Sequence, residues 1–108
     1  MVIAVVDGLG GGIGSQIVAR LRRALGEEIE LIALGANATA TARMVKAGAT
    51  HGATGENAIV FTVAKADVVV GPIGIVIPNS MLGEITTAMV NAIVNSPTCK
   101  LLLPVEQP

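Results

Sequence analysis

The stretch DGLGGGIGSQ, Asp7 to Gln16, follows directly on the apolar run MVIAVV, Met1 to Val6, and its reading decides the fold. Val2 to Val6 is β-branched and almost wholly apolar, the pattern of a strand covered by helices on both faces. Behind the glycines, Ile13, Ile17, Val18, Leu21 and Leu25 recur at helical spacing. Arg20, Arg22 and Arg23 fall late in that segment, where they suit the helix dipole, and Gly26 supplies the stop. A central strand, a glycine-rich turn and an amphipathic helix therefore open the chain.

The remaining segments repeat that alternation. Ile29 to Leu34 reads as a second apolar strand, and Thr39 or Thr41 caps a helix that turns Ala40, Met44 and Val45 inward before Gly48 ends it. Ala49 to His51 allows only a short third strand. Thr54 then reads as the N-cap of a helix with Ile59, Val60 and Val63 on one face, although Val and Phe keep a strand reading open there. Asp67 to Val70 resumes as a buried strand ending at Gly71-Pro72, followed by an irregular Ile73 to Gly83. Thr86 caps a helix through Met89, Val90, Ile93 and Val94 that stops before Pro97, and Lys100 to Leu103 forms a last strand. Strands joined through crossover helices are parallel and right-handed, which predicts an α/β fold. The expectation is one domain over residues 1–108, a doubly wound, Rossmann-like parallel sheet of about five strands in the order 3-2-1-4-5. In such sheets ligands sit outside the strand carboxyl ends where the order reverses, and here that place is the loop after the first strand.

Composition narrows the function. At 108 residues the chain has room for one core but not for a cofactor domain and a separate substrate domain. Phe61 is the only aromatic residue, so neither a flavin held between rings nor single-stranded nucleic acid stacked on aromatics is expected. With a formal net charge of -1 and no basic run longer than Arg22-Arg23, a nucleic-acid backbone is not an expected partner. The weakly charged Val68 to Leu82 is cut by Gly71, Pro72, Gly74, Pro78 and Asn79 and falls short of the roughly 20 apolar residues of a membrane span. The six-residue run before Asp7 has no basic leader, which speaks against a signal peptide. The lone Cys99 forms no internal disulfide and reads as a buried thiol beside an apolar strand, in keeping with a cytoplasmic setting.

The glycine loop has three readings: a cradle for a phosphorylated ligand, a structural turn, or a backbone interface with another subunit. Five glycines in ten residues are more than a turn needs, because each costs roughly 0.5 to 1 kcal/mol of chain entropy relative to Ala. A phosphate loop uses one glycine for the turn, one for approach of the anion and one for helix-strand packing, roles that Gly8, Gly12 and Gly14 can fill. Gly10, Gly11, Ile13 and Ser15 complete the candidate cradle, with helix-end amides and a hydroxyl. The spacing Gly8-x-x-x-Gly12-Ile13-Gly14 resembles the signature of short-chain dehydrogenases and reductases, with Asp7 where Thr is usual. Those enzymes use a catalytic Tyr and Lys, and this chain has no tyrosine. The resemblance thus carries binding geometry and not catalysis.

Dinucleotide folds place an acid at the end of the second strand to grip the ribose of NAD. This strand ends Leu34-Gly35-Ala36-Asn37 without one. Asn37 is the candidate for a ribose and Arg43 for a 2'-phosphate, which places NADP slightly ahead of NAD; the bland alternatives are a turn residue and a solvated helix charge. Asp7 is read as a ligand to ribose or metal, or as an acceptor for the loop's own amides. His51, Thr54, Glu56, Asn57, Asn79, Ser80, Glu84 and Thr86 are expected around the same rim. His51 with Glu56 or Glu84 is the candidate acid/base pair, against the plainer reading of a loop histidine. No cluster of metal-ligand type is present.

DGLGGGIG, GATGENAIV, ADVVVGPIGI and NSMLGEIT together resemble, nearly end to end, a short bacterial family of unknown function regarded as Rossmann-like and as a candidate for nucleotide binding. The resemblance implies that fold and a cytoplasmic bacterial setting, and no activity. The expected function is binding of a nucleotide or dinucleotide, NAD(P) or another, through the glycine loop. The alternatives are a homo-oligomeric scaffold that buries GPIGIVIPNSM, Gly71 to Met81, against a second subunit, and a small enzyme acting on a phosphorylated metabolite through His51.

Overall fold

A computed structural model describes residues 1–105 of the chain. Five strands, β1 (Val2–Asp7), β2 (Glu30–Gly35), β3 (His51–Thr54), β4 (Val68–Pro72) and β5 (Cys99–Leu103), form one sheet in the order β3-β2-β1-β4-β5. All pairings are parallel, with Ile3 opposite Leu31 on one side and Val68 on the other. Four helices, α1 (Gly12–Leu25), α2 (Ala38–Lys46), α3 (Glu56–Val63) and α4 (Thr87–Asn95), and a 3-10 turn at Ile73–Val76 complete the architecture. It is the doubly wound α/β fold that the alternation predicts.

The central strand is buried along nearly its whole length because both of its faces are covered. Ile3 and Val5 join Ile17, Val18, Leu31, Ala33, Met44 and Val70 in the layer that includes α1 and α2. Ala4 and Val6 join Leu34, Ile59, Val63, Val69, Ile75, Met89 and Ile93 in the layer that includes α3 and α4. Each strand residue thus chooses its layer by the two-residue period of the pleat.

Several local boundaries differ from the sequence expectation, each for a physical reason. Asn37, not Thr39 or Thr41, caps α2: its side-chain oxygen accepts the Ala40 N–H at 2.8 Å, and Thr41 is drawn inward, its hydroxyl donating to the Asn37 carbonyl. The third strand begins at His51 instead of ending there, and Gly55, not Thr54, precedes α3. That strand lies at the sheet edge and is set by pairing with β2, not by an apolar pattern of its own. Thr86 caps α4 as expected, its hydroxyl accepting the Met89 N–H at 3.2 Å.

Cys99 is exposed, contrary to the expected buried thiol. It belongs to the other edge strand, where Cys99, Leu101 and Leu103 share the register of Val68, Val70 and Pro72 and face the layer of α1. That face of β5 is open, and Leu101 is 54% exposed. No helix among the described residues is long and apolar enough to cross a membrane.

Candidate functional site

The loop between β1 and α1 lies at the reversal of strand order, where the chain leaves β1 toward β2 on one side and β4 stands on the other. Asp7 closes β1 and is completely buried. Its Oδ1 accepts the Gly8 N–H at 2.8 Å and its Oδ2 accepts the Gly14 N–H at 2.6 Å. The carboxylate therefore spans the loop and ties both of its ends to the sheet. Of the roles open to Asp7, this is the acceptor for the loop's own amides.

A second carboxylate arrives from a distant part of the chain. Glu84 Oε1 accepts the Leu9 N–H at 2.6 Å, and its Oε2 accepts Asn37 Nδ2 at 2.8 Å. Asn37 Nδ2 also donates to the Leu9 carbonyl at 2.8 Å. With its oxygen engaged by Ala40, the Asn37 carboxamide is occupied by protein partners on both sides. Leu9 is held in the left-handed region at φ 50. The turn that delivers Glu84 is left-handed too: Asn79, Met81 and Leu82 have φ of 67, 56 and 57, and Gly83 follows at 88.

The glycines of the loop divide into two sets by what stands beside them. A Cβ on Gly8 would lie 2.7 Å from Glu84 Oε1, one on Gly11 2.7 Å from Ala40 Cα, and one on Gly14 2.6 Å from Met44 Sδ. These three glycines let the loop pack against the protein itself. Gly11 also caps α1 with φ 71, a conformation that favours glycine. Gly10 and Gly12 are different: beyond adjoining backbone, the single atom within 4 Å of a Cβ there is Arg43 Nη1, at 3.9 and 3.5 Å. That guanidinium also donates to the Gly10 carbonyl at 3.3 Å.

Ser15 is engaged in the first turn of α1, its N–H donating to the Gly11 carbonyl and its hydroxyl to the Gly12 carbonyl. Ile13 turns away from the rim and lines a groove of about 250 Å³ with Gln16, Ile17, Arg20, Leu103 and Val105. The amides of Gly10, Gly12 and Ile13 have no acceptor among the described residues, in keeping with the orphan donors of a helix start.

The matching family model is described as a domain of unknown function, DUF3842, and covers residues 2–108. The chain belongs to the DUF3842 family. No curated protein and no solved structure matches it.

In this DUF3842 domain the candidate acid/base residues do not meet. His51 lies at the start of β3, and three residues of strand, about 10 Å, separate it from the carboxyl end at Thr54. Its side chain is 67% exposed and Nε2 stands 3.9 Å from Glu30 Oε2. Glu56 instead accepts the Thr86 hydroxyl at 2.8 Å, joining the starts of α3 and α4. Ser80 is turned to the Gly74 carbonyl, and Thr54 donates to the Thr41 hydroxyl at 2.8 Å. Among the described residues, no group of three His, Cys, Asp or Glu side chains is placed to hold a metal ion. In Gly71 to Met81, Ile75 and Met81 belong to the protein's own core, which leaves Ile77 as the exposed large apolar residue of that stretch.

The side chains gathered around the glycines of this candidate site are therefore Asp7, Glu84, Asn37 and Arg43. The bridge from Glu84 to Leu9 spans 75 positions and has no signal in local spacing. Arg43 lies in the last turn of α2, six residues beyond the Asn37 cap, and its reach to the glycines has no signal in local spacing.

Proposed function

We propose that this DUF3842 domain binds a phosphorylated small molecule, a nucleotide or dinucleotide such as NAD(P), with its phosphate on the open half of the glycine loop. The observation that carries the reading is the pairing of Gly10 and Gly12 with Arg43. Those two glycines have no steric partner in the protein that requires the absence of a side chain, yet glycine is costly when ordered. A close-approaching anion supplies the requirement. The start of α1 contributes a partial positive charge and the amides of Gly12 and Ile13, and Arg43 contributes a guanidinium able to hold phosphate by two parallel hydrogen bonds.

The amides of Gly8, Leu9 and Gly14 accept no part of this role, because carboxylates already hold them. The cradle proposed is accordingly smaller than the whole loop. Titration with inorganic phosphate, followed by amide chemical shifts, tests it: Gly10, Gly12 and Ile13 shift in the wild type and do not shift in Arg43→Ala. Shifts that are absent, or unaffected by Arg43→Ala, overturn the reading.

Self-association is the second reading, supported by β5. Its outer edge has no strand partner among the described residues and its open face carries Leu101 and Leu103, while the charge of Lys100 is drawn back to the Ser96 carbonyl at 2.5 Å. An edge strand whose one charge is turned back on its own chain offers its backbone and apolar face to a second copy of itself. A dimer by light scattering that Leu101→Lys dissociates supports it, and a monomer removes it.

A further inference from the structure

The second strand of this fold ends without the acid that would grip a ribose, but a carboxylate stands at that end all the same. Glu84 comes from the segment after β4, crosses the reversal of strand order and lies against Asn37, two residues beyond β2, with Oε2 at 2.8 Å from Asn37 Nδ2. Its other oxygen is fixed 2.6 Å from the Leu9 nitrogen. The carboxylate is thus oriented at both oxygens, and the left-handed turn at Met81, Leu82 and Gly83 sets the direction from which it arrives.

Most of the spare acceptor capacity at this spot belongs to Glu84, since the Asn37 oxygen has a single lone pair left. The Asn37 amide group gives both its hydrogens to Leu9 and Glu84, and its oxygen takes the Ala40 N–H. A carboxylate offers about four lone-pair positions, and two are used here. Glu84 is also partly exposed, so a ligand can reach it.

The loop is consequently polar along its length. Around Gly8 and Leu9 stand the carboxylates of Asp7 and Glu84, and around Gly10 and Gly12 stands the guanidinium of Arg43. A complementary ligand carries its negative charge at one end and neutral hydroxyl donors at the other. A second phosphate in place of those hydroxyls would face a carboxylate. We infer that Glu84 is the sugar-recognising residue of the site, accepting the vicinal hydroxyls of a phosphorylated ribose and excluding ligands in which one of those hydroxyls is itself phosphorylated. This rests on the phosphate position proposed above. It reverses the order of NADP over NAD that the end of the second strand alone suggests.

The test titrates the full chain with inorganic phosphate, AMP, 2'-deoxy-AMP and adenosine 2',5'-bisphosphate by calorimetry and amide shifts. In the wild type AMP binds about tenfold or more tightly than either of the other two nucleotides, the usual size of a lost charged hydrogen bond or an introduced like-charge contact. Glu84→Gln, which keeps an acceptor for Leu9, lowers AMP affinity by a similar factor and narrows the gap to the bisphosphate, while inorganic phosphate binds as before. Phosphate binding with equal affinity for AMP and 2'-deoxy-AMP, or discrimination unchanged in Glu84→Gln, overturns the assignment of Glu84 and leaves the phosphate site standing. No binding of phosphate or of any of the nucleotides overturns both. The wild-type series decides the matter even where the variant fails to fold.

Discussion

The Asp7 carboxylate accepts the Gly14 N–H at 2.6 Å across the turn that joins β1 to α1. One oxygen holds the exit from the strand, through Gly8, and the other holds the first turn of the helix. The bond joins a buried acid to a glycine on which a Cβ would lie 2.8 Å from Asp7 Cβ. The close approach and the charge-assisted bonds depend on each other, so the strand-helix junction behaves as one unit.

Asp7→Ala is expected to destabilise the protein by about 2–5 kcal/mol, because it leaves two buried amide donors without their acceptor. Urea unfolding measures it. A loss below about 1 kcal/mol would mean that water or another group replaces the carboxylate.

The two sets of glycines should respond in opposite ways. Gly14→Ala forces a methyl to 2.6 Å from Met44 Sδ in the core and is expected to cost about 1–3 kcal/mol or more. Gly12→Ala, at the first position of α1 with only Arg43 Nη1 nearby, is expected to be neutral or to stabilise by up to about 1 kcal/mol. The same Gly12→Ala should weaken phosphate binding, since the new methyl stands on the anion's approach. Thermal unfolding and phosphate titration of both variants separate packing from binding, and parallel losses of stability in the two would contradict the division.

Arg43→Ala should leave stability within about 0.5 kcal/mol of wild type, because its bond to the Gly10 carbonyl is exposed, while abolishing the phosphate-dependent shifts. A large loss of stability would instead make Arg43 a structural brace for the loop.

Leu82 is 86% exposed and left-handed, with φ 57. Leu82→Gly relieves a conformation that costs an ordinary residue roughly 1–2 kcal/mol, against the smaller entropic cost of glycine. A net gain of up to about 1 kcal/mol in thermal unfolding is expected, and a clear loss would show that the side chain contributes contacts of its own.

His51→Ala is expected to change stability by less than about 0.5 kcal/mol, since its partner Glu30 lies 3.9 Å away at an exposed site. Phosphate titration should be unaffected, because His51 stands at the start of β3 and not on the rim.

The legible parts of the fold were those whose burial is written into local spacing. Val2 to Val6, covered on both faces, and α1, with one apolar stripe, follow from period alone, and the parallel pairing follows from strands joined through crossover helices. The third strand was displaced because HGAT has no apolar alternation, and its existence depends on the partner β2. Cys99 was misplaced because an apolar strand at an edge looks like one in the centre until its neighbours are known. In the site, the position of the loop and the inward place of Asp7 could be read from the sequence. The use of Glu84 could not, since a carboxylate meeting an amide 75 positions away is a product of the finished topology.

The placement of β1 between β2 and β4 bears on how the chain is made. Its register with Val68, Val69 and Val70 means that one edge of the strand carrying Asp7 stays bare on the ribosome until those residues emerge. A nascent chain interrupted just before that point holds the glycine loop and the first three helices but lacks both the flanking strand and the glutamate that fastens the loop. Premature termination should therefore yield a sticky fragment instead of a smaller working domain.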